Sequence, residues 1–148
     1  MITESDMKTD ILLVEDCTED AELAIRVIRQ DNPAVRMKLL RDGADAINYL
    51  FDESENAKIH FFPKVIFLDI KLPRLTGPEV LKKLKSNEMT RSIPVIIMTS
   101  SCQKCDIEEC YRLGANSYLV KPIDFTRFQA MIISSSRYWL NYNILLPA

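Results

Sequence analysis

Five short, mostly apolar runs punctuate this chain, and each ends at a polar residue. Ile11-Leu12-Leu13-Val14 runs into Glu15-Asp16, Val65-Ile66-Phe67-Leu68 into Asp69, and Val95-Ile96-Ile97-Met98 into Thr99. Tyr118-Leu119-Val120 runs into Lys121-Pro122, and the run from Val35 to Leu40, interrupted by Arg36 and Lys38, ends at Arg41-Asp42. Continuous Val/Ile/Leu runs mark strands buried on both faces, as parallel sheets require. In such sheets the chemistry gathers at the carboxyl ends of the strands. Glu15, Asp16, Asp69, Thr99 and Lys121 are therefore expected to converge in space.

Segments of helical period lie between the runs. From Thr18 to Asp31, Ala21, Ala24, Ile25 and Ile28 share a face, with Glu19, Asp20 and Glu22 suited to the positive end of the helix dipole. Asn32-Pro33 stops that helix. Gly43 to Phe51 repeats the pattern, and Gly77-Pro78 opens a third helix with Val80, Leu81 and Leu84 inward and Lys82, Lys83 and Lys85 outward on a solvated face. A fourth helix covers Lys104 to Leu113, with Gly114 as a left-handed cap. A fifth starts at Asp124, a suitable N-cap, and runs towards Trp139. The stretch Asp52 to His60 reads as a polar loop before Pro63 opens the third strand. Strands alternating with helices predict an α/β fold, a doubly wound five-stranded parallel sheet in one domain.

Composition narrows the function classes. The 148 residues carry a net charge of −2, without the basic patch that a nucleic-acid surface needs. No apolar stretch approaches the roughly 18 residues of a membrane span, and the N-terminus lacks the layout of a signal peptide. A cytoplasmic protein without nucleic-acid or membrane partners is the expectation. Its four cysteines, Cys17, Cys102, Cys105 and Cys110, should then be reduced thiols. Cys102-x-x-Cys105 could serve zinc or redox chemistry, but without a second such pair it reads as ordinary thiols at a helix start. Cys17, among acids, reads as a bystander.

Glu15, Asp16 and Asp69 on one rim would repel one another unless a cation or protons lay between them. Oxygen-only ligands favour Mg²⁺ or Mn²⁺ over zinc. Adding Lys121 and Thr99 gives a clamp for a dianionic phosphoryl group, with Asp69, the lone acid at its strand end, as the natural nucleophile. Taken singly, each of these residues is as readily a helix or turn cap.

Leu13-Val14-Glu15-Asp16, Leu68-Asp69-Ile70-Lys71-Leu72-Pro73 with Gly77, Pro94 to Ser100, and Tyr118-Leu119-Val120-Lys121-Pro122 together resemble the receiver domain of two-component response regulators, over roughly residues 10 to 136. The resemblance implies a flavodoxin-like receiver fold, with Asp69 as phosphoacceptor for a sensor histidine kinase, a signalling module rather than an enzyme. It implies Mg²⁺ held by Asp16 and Asp69, with help from Glu15 and the backbone carbonyl of Lys71. Thr99 and Lys121 would bind the phosphoryl group, Tyr118 would be the switch aromatic, and the Lys121–Pro122 bond would be cis. Lys71 stands at a position that tunes acyl-phosphate lifetime in the family.

The polar insert before Pro63, the Asp42-Gly43-Ala44-Asp45-Ala46 helix start and the Tyr138-Trp139-Leu140 ending look like the single-domain receivers paired with bacterial phytochrome kinases. That group implies a homodimer through the fourth helix, fifth strand and fifth helix, joined by the apolar extension 137–148. No output domain is expected. Two rival classes remain. A pseudo-receiver would never take phosphate, and an aspartyl-nucleophile phosphatase would want a second acid where Lys71 stands.

Overall fold

The computed structural model describes residues 9–51 and 62–146; the polar stretch 52–60 with His60, and Pro147, lie outside them. Five strands, β1 (Ile11–Val14), β2 (Met37–Leu40), β3 (Val65–Leu68), β4 (Val95–Thr99) and β5 (Ser117–Val120), form one sheet. Every pairing is parallel and the order is β2-β1-β3-β4-β5. The helices α1 (Thr18–Asp31), α2 (Gly43–Phe51), α3 (Gly77–Lys85), α4 (Lys104–Arg112) and α5 (Phe125–Arg137) alternate with them, and a π-helical turn, Tyr138–Tyr142, follows α5.

Side chains alternate across the sheet with period two, and each set fills its own core. Leu12, Val14, Ile66, Leu68, Val95 and Ile97 pack with Ala46, Leu50, Val80, Leu81, Leu84 and Cys110 of α2, α3 and α4. Ile11, Leu13, Val65, Phe67, Ile96 and Met98 pack with Ala21, Ala24, Val27, Ile28, Phe128 and Ile132 of α1 and α5. The sheet is thus wound on both faces, as the apolar runs of its central strands require. The two weaker runs form the edges. In β2, Lys38 is exposed and the strand is shorter than the run from Val35, whose backbone N–H turns back to the Asn32 carbonyl. Residues of β5 are only half-buried up to the exposed Val120.

Local signals account for most helix ends. The Asp124 carboxylate accepts the Arg127 amide at 2.9 Å, capping α5, and Gly114 holds φ at 105°, where other residues are strained. Helix α3 begins in a capping box, ahead of the expected Gly77-Pro78 start: Thr76 and Glu79 each accept the other's amide. Lys85 also departs from expectation. Its stem folds back, and its ammonium donates to the carbonyls of Arg91 and Ile93 and to Asn116 Oδ1 at 2.8–3.0 Å. Burial lowers its pKa. It fastens the turn between α3 and β4 rather than facing water.

The apolar stripe of α5 divides. Phe128 and Ile132 are buried, Met131, Trp139 and Leu140 pack partly against the same core, and Phe125 and Tyr138 face outward. Two parallel bonds from the Arg137 guanidinium to the Asp31 carboxylate tie the end of α5 to the end of α1.

Candidate functional site

In a 2-1-3-4-5 sheet the connections leave β1 and β3 in opposite directions, so a crevice opens at their carboxyl ends. The ladder hydrogen bonds continue past the strands into that crevice. The Glu15 amide donates to the Leu40 carbonyl at 2.9 Å, Asp69 to Val14 at 3.1 Å, and Lys121 to Thr99 at 2.7 Å. The backbone of each polar residue is therefore held by its neighbouring strand. Gly77 backs onto this crevice so closely that a Cβ there would lie 2.2 Å from the Asp69 carbonyl oxygen.

Glu15, Asp69 and Thr99 are buried, Asp16 is exposed, and the Lys121 side chain is only 8 % exposed. Lys121 Nζ lies 2.9 Å from Glu15 Oε2, 3.1 Å from Asp69 Oδ2 and 3.0 Å from Asp20 Oδ2. The remaining carboxylate oxygens are also engaged: Asp69 Oδ1 accepts the Ile70 amide at 2.6 Å, and Glu15 Oε1 accepts the Cys17 amide at 3.2 Å. Of these partners, Asp20 shows only a helix-dipole role in the sequence pattern. Its position in the first turn of α1 is visible there, but its reach back to Lys121 is not.

Burial pushes the Glu15 carboxyl up to about 8, and the Asp69 charge adds to the rise while Lys121 opposes it. Burial alone would lower the Lys121 pKa, yet Asp69, Glu15 and Asp20 together hold it above the ordinary lysine value. One ammonium thus faces several crowded carboxylates, and burial with the neighbouring charge favours the protonated form of Glu15. Ligand oxygens of Glu15, Asp16 and Asp69 lie within 4.8 Å of one another, a donor set that suits a hard divalent cation. A second group, Glu15, Cys17 and Asp20, overlaps it. Cys102 and Cys105 are both exposed and, among the described residues, belong to no such group.

Thr99 and Tyr118 meet at one residue. Thr99 Oγ1 accepts the Ser101 amide at 3.3 Å, and the half-buried Tyr118 donates its hydroxyl to the Ser101 carbonyl at 2.9 Å. Burial raises the Tyr118 pKa. Ser101 Oγ in turn donates to Asp106 in the first turn of α4 at 2.5 Å. The Lys121–Pro122 bond is trans, contrary to the resemblance, since no peptide bond among the described residues is cis. The two X-Pro isomers differ by only about 0.5–1 kcal/mol, so the dipeptide itself does not select one.

The loop from Asp69 to Gly77 is braced from α2. Arg74 adopts φ 63°, with Nε 2.6 Å from Asp42 Oδ2 and Nη2 2.5 Å from Asp45 Oδ1. The other Asp42 oxygen caps α2 by accepting the Ala44 amide at 2.7 Å, and the Gly43 amide donates to the Pro73 carbonyl at 3.2 Å. The strand end left out of the chemistry thus anchors the loop that carries Lys71.

Comparison with known proteins bears on this arrangement. The family profile described as "Response regulator receiver domain" matches residues 11–133. The probable methanogenesis regulatory protein FilR2 of Methanothrix harundinacea is 35% identical over 133 residues, 90% of this chain and 84% of that protein. Response regulator Rcp1 of Synechocystis is 33% identical over 148 residues, 100% of this chain and 99% of that one. A structure of Rcp1 in an Mn²⁺-bound form superposes with a TM-score of 0.85, covering 95% of this chain and 99% of that chain. The phosphorylated cyanobacterial phytochrome response regulator RcpA superposes with a TM-score of 0.87 at 30% identity, covering 95% of this chain and 99% of that one.

Proposed function

The chain belongs to the response regulator receiver family, and from that premise we propose that it takes a phosphoryl group on Asp69 from a sensor histidine kinase. The observation that carries this reading is Lys121, whose ammonium bridges the buried carboxylates Glu15 and Asp69 at 2.9 and 3.1 Å. An Asp69 oxygen would attack phosphorus in line as the donor's phosphorus–nitrogen bond breaks. Lys121 and the Thr99 hydroxyl would then hold the phosphoryl oxygens.

Asp16 and Asp69, with Glu15 and the Lys71 carbonyl, would hold Mg²⁺. When bound, the ion neutralises charge on the transferring group. The acidic donor set fits it, and that the relative Rcp1 has an Mn²⁺-bound form supports a divalent ion. Tyr118 and Ser101 would carry the change at Thr99 to α4. Relatives described as phytochrome response regulators favour a phytochrome-class kinase. Exposed Tyr111, Val120, Phe125, Tyr138, Tyr142, Ile144 and Leu146 supply an apolar surface for a homodimer through α4, β5, α5 and the tail.

Intact mass after incubation with acetyl phosphate and Mg²⁺ tests the reading. A single phosphoryl adduct, lost in Asp69→Asn, is expected. A chain that takes no phosphate with any divalent ion is a pseudo-receiver. One that turns over many phosphate esters is a phosphatase, although Lys71 stands where that chemistry wants a second acid.

A further inference from the structure

A lysine ammonium has three N–H donors. Lys121 has all three engaged, by Glu15 at 2.9 Å, Asp20 at 3.0 Å and Asp69 at 3.1 Å. A phosphoryl oxygen on Asp69 can therefore reach Lys121 only by exchange. The three partners are not equally easy to release. Their side chains are 1% exposed for Glu15, 11% for Asp69 and 38% for Asp20. Before transfer, a buried Glu15 or Asp69 stripped of this partner loses a hydrogen bond with no water to replace it, and Asp69 gives up its charge only as its bond to phosphorus forms. Asp20 is the exception, because water can solvate it. Its place in the first turn of α1 also keeps it at the positive end of a helix dipole after release.

We propose that Asp20 is the displaceable counter-ion of Lys121: an incoming phosphoryl oxygen takes its place, and its carboxylate sets the threshold for phosphorylation. This rests on the reading of Asp69 as phosphoacceptor. Asp20 acts in two ways before transfer. It occupies the donor that the phosphoryl group needs, and it adds one more negative charge to a crevice that an anionic donor must enter. With acetyl phosphate, an Asp69 oxygen forms the new bond to phosphorus while the donor's phosphorus–oxygen bond breaks. Acetate leaves with the electron pair, and no proton need move. Asp20 is a positioning residue in this scheme, acting through Lys121.

The test compares the full-length chain with Asp20→Asn and Asp20→Glu, following phosphoryl uptake from acetyl phosphate in Mg²⁺ by intact mass. The Asn variant keeps shape and lacks charge. It should take phosphate faster at low donor concentration by up to about fivefold, the equivalent of one partly exposed ion pair. The gain should lie mainly in a lower half-saturating donor concentration and shrink at high ionic strength. The Glu variant should restore wild-type behaviour, and beryllofluoride, a phosphoryl mimic, should raise the melting temperature of the Asn variant more than that of wild type. Uptake by a folded Asn variant at or below the wild-type rate would overturn the proposal and leave Asp20 a structural tether for Lys121. A wild-type chain that forms no Asp69-dependent adduct overturns the phosphoacceptor reading itself.

Discussion

The Tyr118 hydroxyl donates to the Ser101 carbonyl at 2.9 Å, so the ring of β5 is tied to the residue whose amide also serves Thr99 at 3.3 Å. Ser101 uses its amide, its carbonyl and its hydroxyl for three different elements, the last being Asp106 of α4. If the Thr99 hydroxyl turns to a phosphoryl oxygen, Ser101 loses one of these and can shift against the other two. Coupling of this kind needs a contiguous set of contacts with two arrangements, and Ser101 is where such a set would pivot.

Tyr118→Phe removes one hydrogen bond, worth about 1 kcal/mol, and touches neither the acids nor Lys121. Phosphoryl uptake by Asp69 should stay within about twofold of wild type. Amide NMR shifts in α4 on adding beryllofluoride should be clearly reduced. Unaltered α4 shifts would show that the Tyr118–Ser101 bond transmits nothing.

Arg74 holds φ at 63°, where a side chain is strained, and its guanidinium is held by Asp42, which caps α2, and by Asp45 in its first turn. Its bond to Asp42 lowers the pKa of that acid. Arg74→Ala keeps the strain and loses both bonds, whereas Arg74→Gly loses the bonds and relieves the strain. The Gly variant should therefore melt above the Ala variant in a thermal scan. Both should bind Mg²⁺ more weakly than wild type by calorimetry, since the loop carrying Lys71 is no longer braced.

The strand-end acids and Lys121 were legible because a parallel sheet delivers them from backbone alone. In each case the apolar run names the strand and the next residue names the rim. Residues whose role depends on where a long side chain turns were not legible. Helical period puts Lys85 outward, yet its stem returns to Asn116. Asp20 likewise reaches Lys121 only because α1 packs where it does. The Thr76–Glu79 box was readable in principle, since the Thr-x-x-Glu spacing stands just ahead of an apolar run.

Glu15 binds its proton more tightly folded than unfolded, because burial raises its pKa from an ordinary 4.5 to about 8. Without metal, its contribution to stability is present below the unfolded pKa and is lost as pH rises towards the folded one. A bound cation prefers the carboxylate and reverses that dependence. The melting temperature in chelator should fall between about pH 4.5 and pH 8, and the rise on adding Mg²⁺ should grow over the same range. A Mg²⁺ effect that is flat with pH would contradict the Glu15 assignment.

Cysteine reactivity checks the core independently of the site. Cys17, Cys102 and Cys105 are exposed, while Cys110 is buried on the inner face of α4, its thiol pushed up to about 11 by burial and by the charges of Glu109 and Asp106. Alkylation needs an accessible thiolate. Iodoacetamide at mild alkaline pH should label those three thiols of the native chain, and Cys110 only after unfolding in guanidinium, as read by mass.

The tail tests the dimer. Deleting residues 138–148 would remove exposed Tyr142, Ile144 and Leu146, but also Trp139 and Leu140, which pack against the core beside α1 and α5. That deletion should therefore lower the melting temperature as well as any self-association, through lost packing of about 2 kcal/mol. The double substitution Ile144→Ser, Leu146→Ser separates the two effects, since both side chains are exposed and the Arg137–Asp31 tie and Trp139 remain. If the tail forms a dimer seam, light scattering should show a lower mass for the double variant than for the wild type at equal concentration, with an unchanged melting temperature for the dissociated chain. A double variant that remains dimeric would move the seam off the tail and onto the exposed residues of α4, β5 and the start of α5.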